Sequence, residues 1–255
     1  MRNTKFNWLN DGDGADVFYV NYIQQDDTDQ YSQEIQLASA ADQRLSWIIG
    51  GFAFKEKGDS YIALPFTFGF GLPFYIEIDG EAETKAVAVF GELKYALTDN
   101  LDVTFGARYN KEERSTKYVY DINFGALFRR IVDDDDNFSA VTPRLVVDYQ
   151  LNDDVSLYAS VTRGFKSGGF NLLAVQPGFK EEQVWSYEAG VKSELADGRV
   201  RLNGDVFYMD YTDMQVGQIV NLSSVLTNAG ESRLYGAEIE LTALPVDHLE
   251  LGATI

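Results

Sequence analysis

The sequence predicts an all-β fold, an antiparallel up-and-down transmembrane β-barrel of which this chain supplies about half. Three observations indicate it. Apolar and polar side chains alternate along many segments, and short polar turns alternate with long connections. In addition, proline and glycine break the long uncharged run at residues 60–76, so that no membrane helix is expected. A tilted strand crosses a bilayer in about 9–11 residues, and membrane barrels have short turns on one side and long loops on the other.

The alternation is clearest in residues 181–212, which we predict to form two strands joined at Asp197-Gly198. An Asp-Gly pair between alternating segments is a strong signal for a tight hairpin turn. The apolar parity consists of Trp185, Tyr187, Ala189, Val191 and Leu195 before the turn, and Val200, Leu202, Val206 and Tyr208 after it. A period of two is typical of a strand with one apolar and one polar face, and the rest of the chain repeats this unit.

The remaining elements follow in chain order, although residues 1–30 are poorly defined beyond a turn at 11–14 and a strand at 17–24. Further strands are predicted to begin near Glu34, Leu45, Val87, Leu101, Leu145, Val155, Tyr235 and Leu249. Short turns are predicted at residues 41–43, 98–100, 152–153, 196–198 and 245–247, and long connections at about 56–82, 117–136, 162–181 and 213–228. A soluble sandwich does not usually segregate its loop lengths in this way.

The two parities predict an inside-out arrangement, because the apolar one carries almost no charge and the other carries many. Lipid tolerates the first set, and water or protein is needed for the second. The lumen-lining residues predicted in this way are Glu92, Arg108, Glu188, Lys192, Arg201, Asp205, Glu238 and Glu240. An aromatic girdle at the strand ends is predicted from Trp47, Tyr95, Tyr149, Trp185, Tyr187 and Tyr235.

The count of about eleven strands predicts an incomplete barrel. Bacterial single-chain barrels have even strand numbers, and an unclosed edge is not stable in lipid. We therefore interpret residues 1–255 as one partial barrel domain, cut at both ends from a longer protein, on the scale of the barrels with about 22 strands whose lumen is plugged.

Composition excludes several functions. The net charge of −19 argues against nucleic acid as a partner, since phosphate binding needs a basic surface. The chain has no cysteine and a single histidine, His248, which follows a short turn, so a catalytic triad or a zinc cluster has little to be built from. We predict no enzymatic activity, no cofactor and no metal site.

Several segments resemble the barrel of TonB-dependent outer-membrane receptors. The segments are Ser32–Ser39 with Leu45–Phe52, Ala88–Leu93 with Leu97–Leu101 and Gly106–Tyr109, Tyr158–Asn171, Glu182–Gly190, and Asn228–Glu238. Each motif is weak alone, but their order is fairly specific, and the resemblance runs from about residue 31 to 255. The N-terminal plug, the TonB box and the terminal strand of that family are not found in the sequence.

The resemblance implies a receptor in the outer membrane of a Gram-negative bacterium that takes up a bulky, scarce ligand with energy from the TonB complex. A ferric siderophore or similar iron complex is the expected ligand, while haem, cobalamin and oligosaccharides stay open. Outer-membrane lipid and lipopolysaccharide are expected partners, and the TonB complex would act through the plug and TonB box. The alternatives are a passive porin-type channel and a soluble all-β ligand-binding domain.

Candidate ligand-binding residues lie in the predicted long connections. Phe66, Phe68 and Phe70 belong to an aromatic stretch at 61–76 that could contact an apolar ligand or, alternatively, fold on itself or extend a hairpin beyond the membrane. Arg163 and Lys166 could meet an anionic ligand or simply pair with neighbouring strands.

Two acidic segments are predicted to be solvated and not to bind a metal ion. The run Asp133–Asp136 is expected to be a solvated loop tip, with divalent-cation binding near lipopolysaccharide as the alternative. The segment Asp11–Asp16 resembles the start of a calcium loop but lacks its later acidic ligands, which favours a plain turn.

Overall fold

The computed structural model describes residues 1–11, 21–40, 43–67, 73–123, 126–171, 178–220 and 223–255. These residues form thirteen strands: β1 Arg2–Asp11, β2 Asn21–Ala38, β3 Leu45–Thr67, β4 Pro73–Thr98, β5 Leu101–Asn123, β6 Leu127–Asn152, β7 Val155–Lys166, β8 Glu182–Leu195, β9 Val200–Thr212, β10 Met214–Val220, β11 Ser223–Ala229, β12 Ser232–Val246 and β13 Leu249–Thr254. In this part of the chain no helix is long and apolar enough to span a membrane.

Eleven of the strands form one sheet in the order β1-β2-β3-β4-β5-β6-β7-β8-β9-β12-β13, and β10 and β11 form a separate two-stranded sheet. The paired strands are antiparallel wherever the register is defined, as between β8 and β9, and between β9 and β12. The predicted all-β, antiparallel, up-and-down architecture is confirmed. The sheet ends at β1 and β13 without closing, as expected for part of a barrel.

The predicted turns at 98–100, 152–153, 196–198 and 245–247 fall at junctions between successive strands, whereas residues 41 and 42 of the predicted turn at 41–43 lie outside the described residues. The β8–β9 turn has Ala196, Asp197 and Gly198 at positive φ angles of 55°, 56° and 78°. An Asp-Gly pair suits this turn because aspartate tolerates the left-handed region and glycine enters it without strain. His248 lies in the two-residue turn between β12 and β13, with a φ of 69°.

Two of the predicted long connections are wrong. Residues 56–82 and 117–136 lie mostly in strands, because β3 continues to Thr67, β4 begins at Pro73, β5 continues to Asn123 and β6 begins at Leu127. Cross-strand ion pairs join these extensions, among them Lys57–Glu81 at 2.6 Å and Lys117–Asp133 at 3.5 Å. Apolar side chains of these extensions, among them Ile62, Ile78, Tyr118 and Tyr120, are buried, so the alternation continues there in short runs that the sequence prediction missed.

The N-terminal prediction is also corrected. Residues 1–30 contain a ten-residue strand, β1, which pairs with β2 from Arg2↔Gln30 to Asp11↔Asn21. The strand predicted at 17–24 begins within the structure at Asn21, and residues 17–20 lie outside the described residues. The predicted turn at 11–14 and the calcium-like segment 11–16 fall largely outside them as well.

The chain divides into two compact units, which are described separately. Unit 1 comprises Met1–Glu34, Phe52–Ala88 and Lys111–Phe138, and unit 2 comprises Ile35–Gly51, Val89–Asn110 and Ser139–Ile255. The buried apolar residues of unit 1 are Ile62, Ala63, Ile78, Ala88, Tyr118, Tyr120 and Phe138. Those of unit 2 are Ala140, Val146 and Val225, while large apolar side chains are exposed along most of its strands.

Candidate ligand-facing and membrane-facing surfaces

The strand register of unit 2 sorts the side chains onto two faces. Tyr187 on β8 pairs with Val161 on β7 and with Tyr208 on β9, and Tyr208 pairs in turn with Tyr235 on β12. Directly paired residues project to the same side of a sheet, and successive residues alternate between sides. One face therefore carries the apolar parity, here called the apolar face, and the other carries the charged parity, here called the polar face.

The apolar face is exposed. Val206 is 58% exposed, Ile239 is 50% exposed and Tyr235 is 79% exposed. Aromatic rings lie against one another on this face, with 6.5 Å between the centroids of Trp185 and Tyr187 and 6.3 Å between those of Tyr187 and Tyr208. A contiguous exposed surface of this kind marks a site of contact with lipid or protein, and the aromatic pairs lie on the parity that the predicted girdle requires.

The residues predicted to line a lumen lie on the polar face, where several of them contact neighbouring strands. Arg144 lies 3.5 Å from Glu92, and Arg201 lies 2.8 Å from Glu194. The Tyr158 hydroxyl donates to Glu188 Oε1 at 2.5 Å, and the Lys192 ammonium lies 4.9 Å from the centre of the same tyrosine ring.

The other members of the predicted set follow the same arrangement. Arg108 Nε donates to Asn110 Oδ1 at 2.6 Å, and the Arg108 guanidinium lies 5.5 Å from the Phe90 ring centre. In the antiparallel register of β9 and β12, Asp205 lies directly opposite Glu238 and Asn203 lies opposite Glu240. That this face lines a lumen stays a prediction.

Arg163 is engaged by its neighbours. It pairs with Trp185 in the β7–β8 register, its guanidinium carbon lies 5.9 Å from that ring centre, and Nη1 donates to the Val141 carbonyl at 3.2 Å. Nη2 donates to the Gln183 side chain. Lys166 lies opposite Glu182 in the same register. These contacts favour the structural alternative, and a ligand-binding role for Arg163 and Lys166 stays a prediction.

A set of side-chain amides holds the β10–β11 hairpin against the segment between β7 and β8, and sequence analysis did not identify it. Asn228 Oδ1 accepts from the Lys180 N–H at 2.7 Å, while Asn228 Nδ2 donates to the carbonyls of Lys180 at 3.0 Å and Asp213 at 2.8 Å. Asn171 makes the same reciprocal pair with Leu226, at 2.9 Å and 2.8 Å.

Gln215 completes this set, which we call the amide latch: Asn171, Gln215 and Asn228. The backbone N–H of Gln215 donates to Glu182 Oε2 at 2.6 Å, and the Gln215 side-chain amide donates to the carbonyls of Ser167 at 2.9 Å and Lys180 at 3.0 Å. Val225 lies on the same hairpin and is 1% exposed. Asn171 and Asn228 are both part of the segments that carried the family resemblance, so the motif signal was present without its structural reason.

Unit 1 has a polar and aromatic surface on the parity opposite to its exposed lysines. Tyr22 donates to Gln24 at 2.9 Å, Gln24 donates to Asp26 at 2.7 Å, and Ser60 donates to the other Asp26 oxygen at 2.6 Å. Tyr118 is buried, and burial raises its pKa to about 12. Donors and acceptors beside aromatic rings are the usual lining of a small-molecule site.

The aromatic stretch at 61–76 is a hairpin extension in its described part, since residues 61–67 belong to β3 and residues 73–76 to β4. The Tyr61 hydroxyl donates to Glu77 Oε1 at 3.1 Å across this hairpin. Phe68 and Phe70 lie outside the described residues, as does the side chain of Phe66. Their proposed contact with ligand stays a prediction.

The exposed parity of unit 1 carries an ion-pair lattice, defined by Lys55, Lys57, Lys85, Lys111 and Lys117 with Glu81, Glu83, Glu113 and Asp133. Glu83 contacts both Lys85 and, at 2.9 Å, Lys55. Hydrogen bonds from these two lysines lower the pKa of the Glu83 carboxyl, and the bond from Lys111 lowers that of Glu113. Glu83 in turn raises the pKa of Lys85.

The acidic run Asp133–Asp136 lies in β6 and not at a loop tip, which corrects the prediction. Its pairing with β5 places Asp133 3.5 Å from Lys117, and consecutive carboxylates in a strand project to alternate faces, which separates them. Within the described ranges no group of three or more His, Cys, Asp or Glu side chains is arranged to hold a metal ion.

Residues 2–254 match the family model described as TonB dependent receptor-like, beta-barrel. The pesticin receptor of Yersinia pestis is 29% identical over 218 residues, which cover 82% of this chain and 30% of that protein. The metal-pseudopaline receptor CntO of Pseudomonas aeruginosa is 32% identical over 112 residues, covering 44% of this chain and 16% of that protein.

Solved structures show the same fold. The ferric yersiniabactin uptake receptor FyuA from Yersinia pestis superposes with a TM-score of 0.81 at 22% identity, covering 99% of this chain and 37% of that one. The siderophore receptor PiuA from Acinetobacter baumannii gives 0.71 at 16% identity, covering 99% and 42%. The chain thus spans about a third of the length of the pesticin receptor and FyuA chains. It belongs to the TonB-dependent receptor β-barrel family, whose members are receptors, not enzymes, in the outer membrane of Gram-negative bacteria.

Proposed function

We propose that this chain is part of the barrel of a receptor that takes up a bulky metal complex, with a ferric siderophore as the ligand class. The family match over residues 2–254 carries the proposal. It is supported by relatives that are receptors for pesticin, for metal-pseudopaline and for ferric-pyoverdine. Residues 1–255 are proposed to form one partial barrel domain, and TonB is the proposed energy-coupling partner.

The two surfaces support this proposal in different ways. The exposed apolar face, with Tyr235 at 79% exposure, suits contact with lipid. The polar face is proposed to line the lumen through the eight residues predicted from sequence. The hydrogen-bonded series Tyr22, Gln24, Asp26 and Ser60 in unit 1 is proposed to contact the ligand. Arg163, whose guanidinium contacts Trp185 and Val141, is proposed to hold β7 to its neighbours.

The test uses the full receptor in an iron-limited strain that lacks its own siderophore receptors. Uptake of radiolabelled iron is measured for ferric yersiniabactin, ferric pyoverdine and metal-pseudopaline, with and without TonB. We expect TonB-dependent uptake of at least one complex. Uptake of none of them, or uptake that does not need TonB, would overturn the proposal.

A porin-type channel is separated from a receptor by conductance. In a planar bilayer the full receptor is expected to show no steady open-pore conductance, and a large constant conductance would favour the porin.

A set of variants tests the proposed ligand contacts of the aromatic stretch. Replacing Phe66, Phe68 and Phe70 together with Ala is expected to weaken binding of the transported complex, and unchanged affinity in a folded variant would remove these residues from the site.

A further inference from the structure

A carboxylate in unit 1 lies among aromatic rings at the pairing of β1 with β2. Asp26 is directly opposite Phe6, and Trp8 is opposite the neighbouring position, Gln24. In antiparallel strands the Cβ atoms of opposite residues are about 5 Å apart, and diagonal neighbours are about 7–8 Å apart. Tyr22 projects to the same side of β2, and its ring lies edge to face against Trp8, with 5.4 Å between the centroids. We call Asp26, Phe6, Trp8 and Tyr22 the aromatic–carboxylate group.

The Asp26 carboxylate accepts hydrogen bonds from neutral groups. Ser60 Oγ donates to Oδ1 at 2.6 Å, and Gln24 Nε2 donates to Oδ2 at 2.7 Å. Among the residues that the structure describes, no lysine or arginine forms an ion pair with Asp26, whereas Asp27, on the other side of the strand, lies 2.6 Å from Lys5. The two neutral donors therefore orient the Asp26 carboxylate without neutralising its charge.

The aromatic rings beside Asp26 are accessible. Phe6 is 47% exposed and Trp8 is 49% exposed. Over the described ranges, no lysine or arginine of the protein lies against the face of the Phe6, Trp8 or Tyr22 ring. The face of an aromatic ring attracts a cation, and tryptophan does so most strongly. These rings and the carboxylate thus have the chemistry of a cation site without a cation of the chain itself.

The polar face of unit 2 shows the same combination completed by the protein. There the Tyr158 hydroxyl donates to Glu188, and the Lys192 ammonium lies 4.9 Å from the centre of the Tyr158 ring. A ring, a carboxylate and an ammonium group occur together. In unit 1 the ring and the carboxylate occur with an unpaired charge, so the ammonium group is the part that a ligand would supply.

The electrostatics of unit 1 also favour a positive group. Burial and the negative charge of Asp26 both raise the pKa of the Tyr22 hydroxyl. The pKa of the Tyr118 hydroxyl is raised mainly by burial, and Asp26 adds to the effect. The negative charge of Asp26 therefore acts on the phenols around it, and the net charge of −19 attracts cations to the protein as a whole.

We propose that the aromatic–carboxylate group binds a protonated amine on the transported metal complex, with Asp26 accepting its hydrogen bonds and Phe6 and Trp8 against its methylene and ammonium groups. The inference rests on the proposed function and deepens it, because it names the charge class of the ligand. A complex that carries an ammonium group is favoured over an anionic one such as a tris-catecholate, which would bring negative charge towards Asp26.

The test uses two probes that differ in one group. The first is the iron(III) complex of a linear trihydroxamate with a terminal primary amine, and the second is the same complex with that amine acetylated. Acetylation removes the positive charge and leaves the coordination of iron unchanged. Isothermal titration calorimetry with the full receptor in detergent is expected to show at least about tenfold weaker binding of the acetylated complex, since a hydrogen bond to a charged group is lost.

The variant Asp26→Asn keeps the size of the side chain and an oxygen that can accept from Ser60. Its affinity for the amine complex is expected to fall by at least about tenfold, while its affinity for the acetylated complex stays within about twofold and shows that the variant is folded. Trp8→Leu is expected to weaken binding of the amine complex by about threefold, because an exposed cation–π contact is lost.

The matched control is Asp27→Asn, which removes the same charge one residue away on the other side of β2. It is expected to bind both complexes within about twofold of the unaltered receptor. Equal losses in Asp26→Asn and Asp27→Asn would overturn the site, because they would assign the effect to net charge alone.

Two other results would overturn this inference, namely equal binding of the two complexes or binding of neither. The proposed function survives both of them if another iron complex is still taken up with TonB. Conversely, preference for the amine complex without TonB-dependent uptake of any complex would support the site and overturn the proposed function.

Discussion

The ion-pair lattice of unit 1 and the amide latch of unit 2 hold chain segments in place by different chemistry. In the lattice, exposed lysines and carboxylates pair side chain to side chain, as between Lys57 and Glu81 at 2.6 Å. In the latch, neutral amides such as that of Asn228 pair with backbone groups of another segment. Exposed ion pairs are weak and easily rearranged, whereas an amide that makes several bonds to the backbone fixes one geometry, each bond contributing about 1 kcal/mol net. The lattice is therefore suited to exchange partners and the latch to hold a hairpin.

The largest expected effect comes from breaking the latch with Asn228→Ala. This change removes three hydrogen bonds, from the Lys180 N–H and to the carbonyls of Lys180 and Asp213, and the Lys180 carbonyl keeps its bond from Gln215. We expect the free energy of local opening of β10–β11 to fall by about 3 kcal/mol. Hydrogen exchange of the amides in residues 214–229 measures it.

The control for this variant lies on the same hairpin. Gln218 is exposed and donates to the Thr227 hydroxyl at 3.0 Å, a bond between two side chains that leaves no backbone group unpaired when it is removed. Gln218→Ala is expected to change exchange in the hairpin by less than about 0.5 kcal/mol. Equal effects of the two variants would mean that the latch does not hold the hairpin.

The second expected effect comes from a buried apolar side chain on the same hairpin. Val225 is 1% exposed, so Val225→Ala removes two methyl groups from a closed environment at a cost of about 1.5 kcal/mol. Ile219, on the same hairpin, is 80% exposed, and Ile219→Ala is expected to have almost no effect. The same hydrogen-exchange measurement ranks the two variants. A larger loss of protection in Ile219→Ala than in Val225→Ala would contradict the burial of Val225.

A smaller effect is expected when the lattice is acidified. The pKa values of Glu83 and Glu113 are lowered by lysine, so the carboxylates stabilise the fold fully above the ordinary glutamate pKa. This stabilisation is lost as the pH falls through the lowered values. Protection of the β3–β4 amides, corrected for intrinsic exchange, should decrease in that window. In E83Q/E113Q the decrease should vanish, and its persistence would assign the effect to other groups.

The smallest effect concerns Tyr118, whose burial raises its pKa to about 12. Because its pKa is raised, the Tyr118 phenolate forms at a higher pH than the phenolate of an exposed tyrosine. An ultraviolet titration of Tyr118→Phe against the unaltered receptor should lose absorbance only above about pH 11. A difference already at pH 10 would show that the ring is solvated. Stability at pH 7 is not expected to respond to this ionisation.

The strands that the sequence predicts correctly are those with long runs of alternating apolar and polar side chains. The hairpin around Asp197-Gly198 and its two faces follow from period-two alternation, and the register of β8 and β9 agrees. The sequence predicts connections in place of the extensions at 56–67 and 117–123, although Tyr118 and Tyr120 alternate with Lys117 and Asp121 and are buried. An alternation that lasts only a few residues is a weak signal for a strand.

The candidate site shows the same division. The segments around Asn171 and Asn228 carried the family resemblance, yet their pairing depends on residues 55 positions away for Asn171 and 48 positions away for Asn228. Arg163 was expected to have either a ligand or a structural role, and its contacts with Trp185 and Val141 depend on which strands become neighbours. A short motif contains no information about such partners.

Local sequence patterns are sufficient to predict the all-β class, the apolar and polar parities, most of the short hairpin turns and the family resemblance. These properties depend on neighbouring residues, namely alternation, turn chemistry and local motifs. The extent of β3, β4, β5 and β6, the partners of the lysines in the ion-pair lattice and the amides that hold β10 and β11 depend on tertiary contacts. The reason is that ion pairs and amide–backbone bonds join residues far apart in the chain, and strand register brings them together.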